Sequence, residues 1–113
     1  MKTDKLYIDQ ILDSIRKIEL YSTGFDKEKF LADSKTQSAL IMQLILIGEI
    51  SKKVSEETKI KTNIPWKKIT GFRDRAIHNY FDVNLEVVWE TICDDVPQLK
   101  EELIKIFNNK VSL

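Results

Sequence analysis

The sequence predicts an all-α fold, an up-and-down bundle of about five helices forming a single domain over residues 1–113. Three observations carry that expectation. Apolar residues recur at three- and four-residue intervals through most of the chain, while period-two alternation and hairpin turn pairs occur nowhere. One stretch, Ala39 to Ile47, is apolar on nearly every helical face and so needs neighbours on all sides. At 113 residues the chain is long enough for one core and too short for two.

The elements follow in order. Asp4 to Leu20 sets Leu6, Ile8, Ile11, Leu12, Ile15 and Ile18 between charged residues, an amphipathic helix that the turn chemistry of Tyr21 to Gly24 ends. Asp26 can cap a short helix, Lys27 to Ala32, which offers Phe30 and Leu31 to the core. Ser34 followed three residues later by Gln37 reads as a capping box, opening a helix to about Glu57. That helix is central: the bundle buries three of its sides, and the fourth suggests a homodimer. Thr58 to Ile64 is a polar connector, and Pro65 suits the first position of a short helix that turns Trp66 and Ile69 inward. Thr70-Gly71 permits a sharp change of direction before the next helix. Asn84 can cap a helix whose Leu85, Val88, Trp89 and Ile92 share a face. Pro97 is expected to kink or restart it, after which Leu99, Leu103, Ile104 and Phe107 continue the stripe.

Composition excludes several classes of function. With 18 basic and 18 acidic residues the formal net charge is zero, which argues against a protein that coats nucleic acid by bulk electrostatics. The charge is uneven, however. Lys52 to Arg75 holds eight basic residues against three acidic ones, and Asp82 to Glu102 holds seven acidic residues against Lys100 alone. A lone cysteine, Cys93, excludes an internal disulfide and reads as a small buried hydrophobe. One histidine makes a structural zinc site implausible, so no metal or cofactor is expected. The N-terminus shows no signal-peptide core, and the apolar run Ala39 to Ile50 is interrupted and too short for a bilayer. A soluble cytoplasmic protein without a membrane partner is the expectation.

The chemistry gathers in Gly71 to Phe81. This stretch holds the single histidine, His78, and two of the three arginines, Arg73 and Arg75. Arginine is a rigid, permanently charged fork that suits phosphate, and histidine exchanges protons near neutrality. Together they provide what cleaving a phosphodiester requires. At about 100° per residue Arg73 and His78 stand about 140° apart around a helix, whereas Asp74 and His78 share a face. An Asp74 carboxylate there is expected to hold the imidazole in one tautomer. Arg75 and Asn79 have the same spacing. Glu49, set in an apolar helix, needs a cationic partner, with Arg73 or His78 as the natural candidate. Trp66 and Trp89 read as core residues, and Lys67 and Lys68 as a solvated face or the rim of an RNA groove.

The pattern Arg73-x4-His78-x-Tyr80 resembles the Arg-x4-6-His motif of HEPN-domain ribonucleases, and more narrowly the Arg-x4-His-x-Tyr form of the HepT-like toxins. Gly48-Glu49, Ile64-Pro65-Trp66, Gly71-Phe72-Arg73-Asp74, Val88-Trp89 and Asp95-Val96-Pro97-Gln98-Leu99 extend the likeness, in the right order, from about Phe30 to Leu103. The resemblance implies an α-helical homodimer with a composite, metal-independent RNase site at the interface. Arg73 and His78 would cut RNA; Arg75, Lys67 and Lys68 are, from their charge alone, candidates for binding it. It also implies a neighbouring antitoxin of the minimal nucleotidyltransferase type, which can adenylylate Tyr80. The family commonly has asparagine after the arginine; here Asp74 sets an acid beside the scissile phosphate. Two other readings stand beside the toxin. One is a non-catalytic substrate- or nucleotide-binding partner of a minimal nucleotidyltransferase. The other is a plain helical dimerisation module.

Overall fold

The computed structural model describes the backbone of residues 2–112 and the side chains of residues 4–106. Among these residues there is no strand. The helices are α1 (Lys2–Ser22), α2 (Lys27–Leu31), α3 (Ser34–Ser51), α4 (Glu56–Ile60), α5 (Trp66–His78), α6 (Leu85–Glu90) and α7 (Val96–Ser112). A π-helical turn, Thr91–Asp95, joins the last two into one continuous helix. Six helical units result among the described residues, one more than expected. None is long and apolar enough to cross a membrane.

The stripe of α1 is the one its spacing predicts. Ile8, Ile11, Ile15 and Ile18 are all fully buried against α3, although Leu6 lies outside the stripe and is half-exposed. Asp4 is buried with them, because its carboxylate accepts hydrogen bonds from Ser55 N (3.0 Å), Ser55 Oγ (2.6 Å) and Thr58 Oγ1 (2.5 Å). These bonds tie the start of α1 to the start of α4. The Asp26 carboxylate caps α2 by accepting from Lys29 N at 2.8 Å. Phe30 is buried and stacks on Trp89 at 5.1 Å, whereas Leu31 is turned outward.

α3 is central, as its apolar surround demands, with α1 on one flank and α5 on the other. Two of its boundaries differ from expectation. Asp33, not Ser34, is the cap, accepting from Thr36 N at 3.1 Å, while Gln37 Nε2 donates back to the Phe30 and Leu31 carbonyls. The helix also ends at Ser51 rather than near Glu57. Val54 dives into the core and Ser55 caps a new helix, α4, which runs from the expected end of α3 into the expected connector. On the outer side of α3 Met42 and Leu46 stay exposed, so one side of the apolar helix is uncovered.

α5 runs straight through Thr70-Gly71, where the sequence permits a bend. Gly24 alone among the described residues has a left-handed φ, +82°, so Gly71 is not used as a turn. Pro65 stands just before the first helical residue, and the Trp66 indole is buried with Nε1 donating to Thr62 Oγ1. His78 is the last residue of α5. Tyr80–Asp82 forms a 3-10 turn, so the end of the motif is not helical. Asn84 caps α6 by accepting from Glu86 N and Val87 N. Val88 and Ile92, then Leu99 and Leu103, are buried along one stripe; Ile104 is exposed, and the Phe107 side chain lies outside the described residues. Pro97 neither breaks nor restarts the helix. In the π turn before it, Val96 N bonds Thr91 O five residues back, a wider ring that spares the proline a clash with a preceding carbonyl. Cys93 is exposed, not buried.

Candidate active site

The site starts from a glycine. A Cβ on Gly48 would run into the Cβ of Arg73 and stand 3.0 Å from the Ile69 carbonyl oxygen, so α3 and α5 can meet this closely only because residue 48 has none. The Arg73 stem crosses α3 there and its guanidinium reaches Glu49, the next residue along, at 2.7 Å (Nη2 to Oε2). This is an ion pair without hydrogen-bond angles: Glu49 Oε2 and Arg73 Nε are buried atoms with no hydrogen bond. On its other side Arg73 Nη1 donates to Asp74 Oδ1 at 3.1 Å, and that oxygen also accepts from Lys52 Nζ at 2.7 Å. The result is an alternating row of charges, Glu49, Arg73, Asp74 and Lys52. The hydrogen bond from Lys52, and then the one from Arg73, hold the Asp74 carboxyl below the usual carboxylate range. Arg73 itself is three-quarters buried, so the guanidinium is braced rather than free to swing.

His78 is placed differently. It ends α5, is exposed, and makes no hydrogen bond or ion pair among the described residues. The expected Asp74 contact is therefore not made, because Lys52 and Arg73 already occupy that carboxylate. Two residues on, Tyr80 is half-exposed, with its hydroxyl 3.5 Å from Ser38 Oγ at the start of α3. Phe81 meets the Tyr80 ring edge-on at 6.0 Å and is itself 95% exposed.

The remaining basic residues lie apart from Arg73. Arg75 and Lys68 border a cleft on another face of α5, and Lys68 is paired across it with Asp95 at 3.1 Å. Arg75 does not pair with Asn79, whose amide donates to Asp82 instead. Lys67 is exposed two turns before Asp74, on the same face. The structure thus gathers Arg73, Glu49, Asp74 and Lys52, leaves His78 open nearby, and sets Arg75 and Lys68 elsewhere. The sequence does not single out Lys52 or Ser38, since only the side-by-side packing of α3 and α5 brings them to the site. No group of three His, Cys, Asp or Glu residues converges on a metal-sized site among the described residues.

The family model for the HepT-like ribonucleases matches residues 11–106. The chain belongs to the HepT-like ribonuclease family. Its relatives include the "Probable ribonuclease HepT" of Thermococcus cleftensis, 38% identical over 93% of this chain and 96% of that one. A "Putative RNase" of Caldanaerobacter subterraneus subsp. tengcongensis is 34% identical over 97% and 99% of the two chains. The "Gamma-glutamylcyclotransferase and putative RNase" of Methanocaldococcus jannaschii is 40% identical over 93% of this chain, which spans 48% of that longer protein. No solved structure matches the chain.

Proposed function

We propose that this HepT-like chain is a metal-independent endoribonuclease, the toxin of a toxin–antitoxin pair, working in the cytoplasm as a homodimer. The observation that carries the reading is a braced arginine and an unengaged imidazole on one helix, in a chain of a ribonuclease family. His78 takes the proton of a ribose 2′-hydroxyl, and the resulting oxyanion attacks the adjacent phosphorus. Arg73 stabilises the charge that builds on the phosphate oxygens, held in place beforehand by Glu49 and Asp74. His78 of a second copy, or a water, gives a proton to the departing 5′-oxygen. The RNA leaves with a 2′,3′-cyclic phosphate or 3′-phosphate and a 5′-hydroxyl, and DNA, lacking the 2′-hydroxyl, is not cut.

Lys67, exposed on the Asp74 face, supports RNA at the site; Arg75 and Lys68 extend the basic surface toward the far side of α5. The partner is an antitoxin of the minimal nucleotidyltransferase type. It silences the toxin by adenylylating the half-exposed hydroxyl of Tyr80, which places a phosphate two residues from His78.

One observation favours a second reading. Two carboxylates already face the Arg73 guanidinium, which lowers its pull on a phosphate. A non-catalytic nucleotide-binding subunit would tolerate that arrangement. The deciding experiment is induction of the wild type, Arg73→Ala and His78→Ala in cells, with total RNA run on a gel. Growth arrest and RNA fragments from the wild type alone, and the same cleavage by purified protein in EDTA, are expected. Three strains that grow alike with intact RNA, although the protein is folded, would overturn the nuclease and leave the binding subunit.

A further inference from the structure

α5 docks on α3 and stands off from the continuous helix made by α6 and α7. A cleft of about 140 Å³ opens between them. Leu44 and Ile47 of α3 line it together with Ile69 and Phe72 of α5 and Val96 and Leu99 of α7, so most of its lining is apolar, with Asn63, Thr91 and Gln98 as its uncharged polar members. At its mouth the charges are nearly all spoken for. Lys68 is paired with Asp95 at 3.1 Å, and Glu102 with Lys105 at 3.0 Å. Arg75 lines the same cleft and has no carboxylate partner among the described residues. The π turn places Thr91 and Asp95 on the opposite wall, and such turns recur at ligand sites.

We infer that this cleft binds a small aromatic carboxylate, its ring among the apolar side chains and its carboxylate on the Arg75 guanidinium. Size, lining and charge each narrow the choice. A cavity of about 150 Å³ lined by Leu, Ile and Phe holds one benzene ring, so a single ring fits and a fused polycycle does not. A nucleobase, polar along most of its rim, would set part of that rim against the apolar walls, whereas a benzene ring has no polar edge to desolvate. A neutral ring would leave the guanidinium unused, whereas a carboxylate matches its planar fork. On α3 the cleft takes the face of Leu44 and Ile47 and not the uncovered face of Met42 and Leu46, so the dimer proposed above leaves it open.

Benzoate is the probe, titrated into the full chain with the methyl NMR signals of Ile69, Val96 and Leu99 as the readout. Saturable shifts at millimolar concentration are expected, with benzyl alcohol, the same ring without the charge, about tenfold weaker. Arg75→Ala, at an exposed position, is expected to bring benzoate down to the benzyl alcohol level, again about tenfold. Val87→Trp, also at an exposed position, fills the mouth and abolishes both, while an unchanged unfolding midpoint shows the fold intact. Shifts that never saturate, or saturating shifts indifferent to both substitutions, overturn the site. Equal affinity for benzyl alcohol and benzoate overturns the anion assignment. No RNA enters the measurement, so its failure and that of the nuclease reading are distinguishable.

Discussion

Asp74 is the residue on which the state of Arg73 turns. Its carboxylate bridges Lys52 and Arg73, and both bonds favour the ionised form, Lys52 the more. Its folded pKa therefore lies below its unfolded one. The stability this bridge contributes is present above the ordinary carboxylate range and is lost as pH falls through the lower, folded value. Because the group is exposed, the effect on global stability is small and belongs in a site-specific titration. Carboxyl-carbon NMR is expected to place the Asp74 midpoint below that of an unpartnered aspartate. Lys52→Ala should move it back toward the ordinary range, since the stronger of its two hydrogen bonds is gone. An unmoved midpoint would mean that Arg73 alone holds the carboxylate. The sequence makes one half of this arrangement legible: a glutamate in an apolar helix needs a cation, and Glu49 meets Arg73. The Lys52 half is not legible, because it exists only once α3 and α5 lie side by side.

The helices themselves divide in the same way. Asp26 and Asn84 cap where the sequence places them, because an Asx side chain before an apolar run has one good use. The end of α3, the continuity of α5 and the passage through Pro97 were open locally, and packing decides each. Gly71 shows the ambiguity: the residue permits a turn, yet it lies within α5, a helix packed as a whole against α3. Two glycines, one on each of the paired helices, separate local propensity from packing. At Gly71 an added Cβ meets only the far end of the Arg75 side chain, at 3.3 Å, which can swing aside. Gly71→Ala is expected to stabilise the chain by about 0.5–1 kcal/mol, the ordinary gain of alanine over glycine inside a helix. At Gly48 the added Cβ meets backbone and the root of Arg73, which cannot give. Gly48→Ala is expected to cost about 1–3 kcal/mol despite the better helix propensity, and to prise Arg73 from Glu49. Urea unfolding of the two variants checks both signs, and equal shifts would refute the close approach of α3 and α5.

At the scale of the whole molecule, an uncovered apolar surface and a divided site point to the same assembly. Met42 and Leu46 on α3, and Ile77, Tyr80 and Phe81 at the end of α5, are large, apolar and exposed in the single chain. Arg73 is anchored inward on α3, while His78, about 140° further round α5, faces solvent with no bond to it. Two copies packed through this surface would let the arginine of one serve the histidine of the other. Sedimentation should then give a dimer for the wild type and a folded monomer for Met42→Glu, a position exposed enough not to disturb the core. The decisive version mixes two inactive proteins. If each phosphate is held by Arg73 of one copy and attacked with the help of His78 of the other, a dimer of Arg73→Ala with His78→Ala contains one intact site. After random exchange half the dimers are of this kind, each with one site of two, so cleavage should return to roughly a quarter of the wild-type rate. If both residues act within one chain, every site in the mixture is broken and cleavage stays at the level of the single variants. A return of cleavage that Met42→Glu in both chains then removes would tie the chemistry to the α3–α5 surface itself.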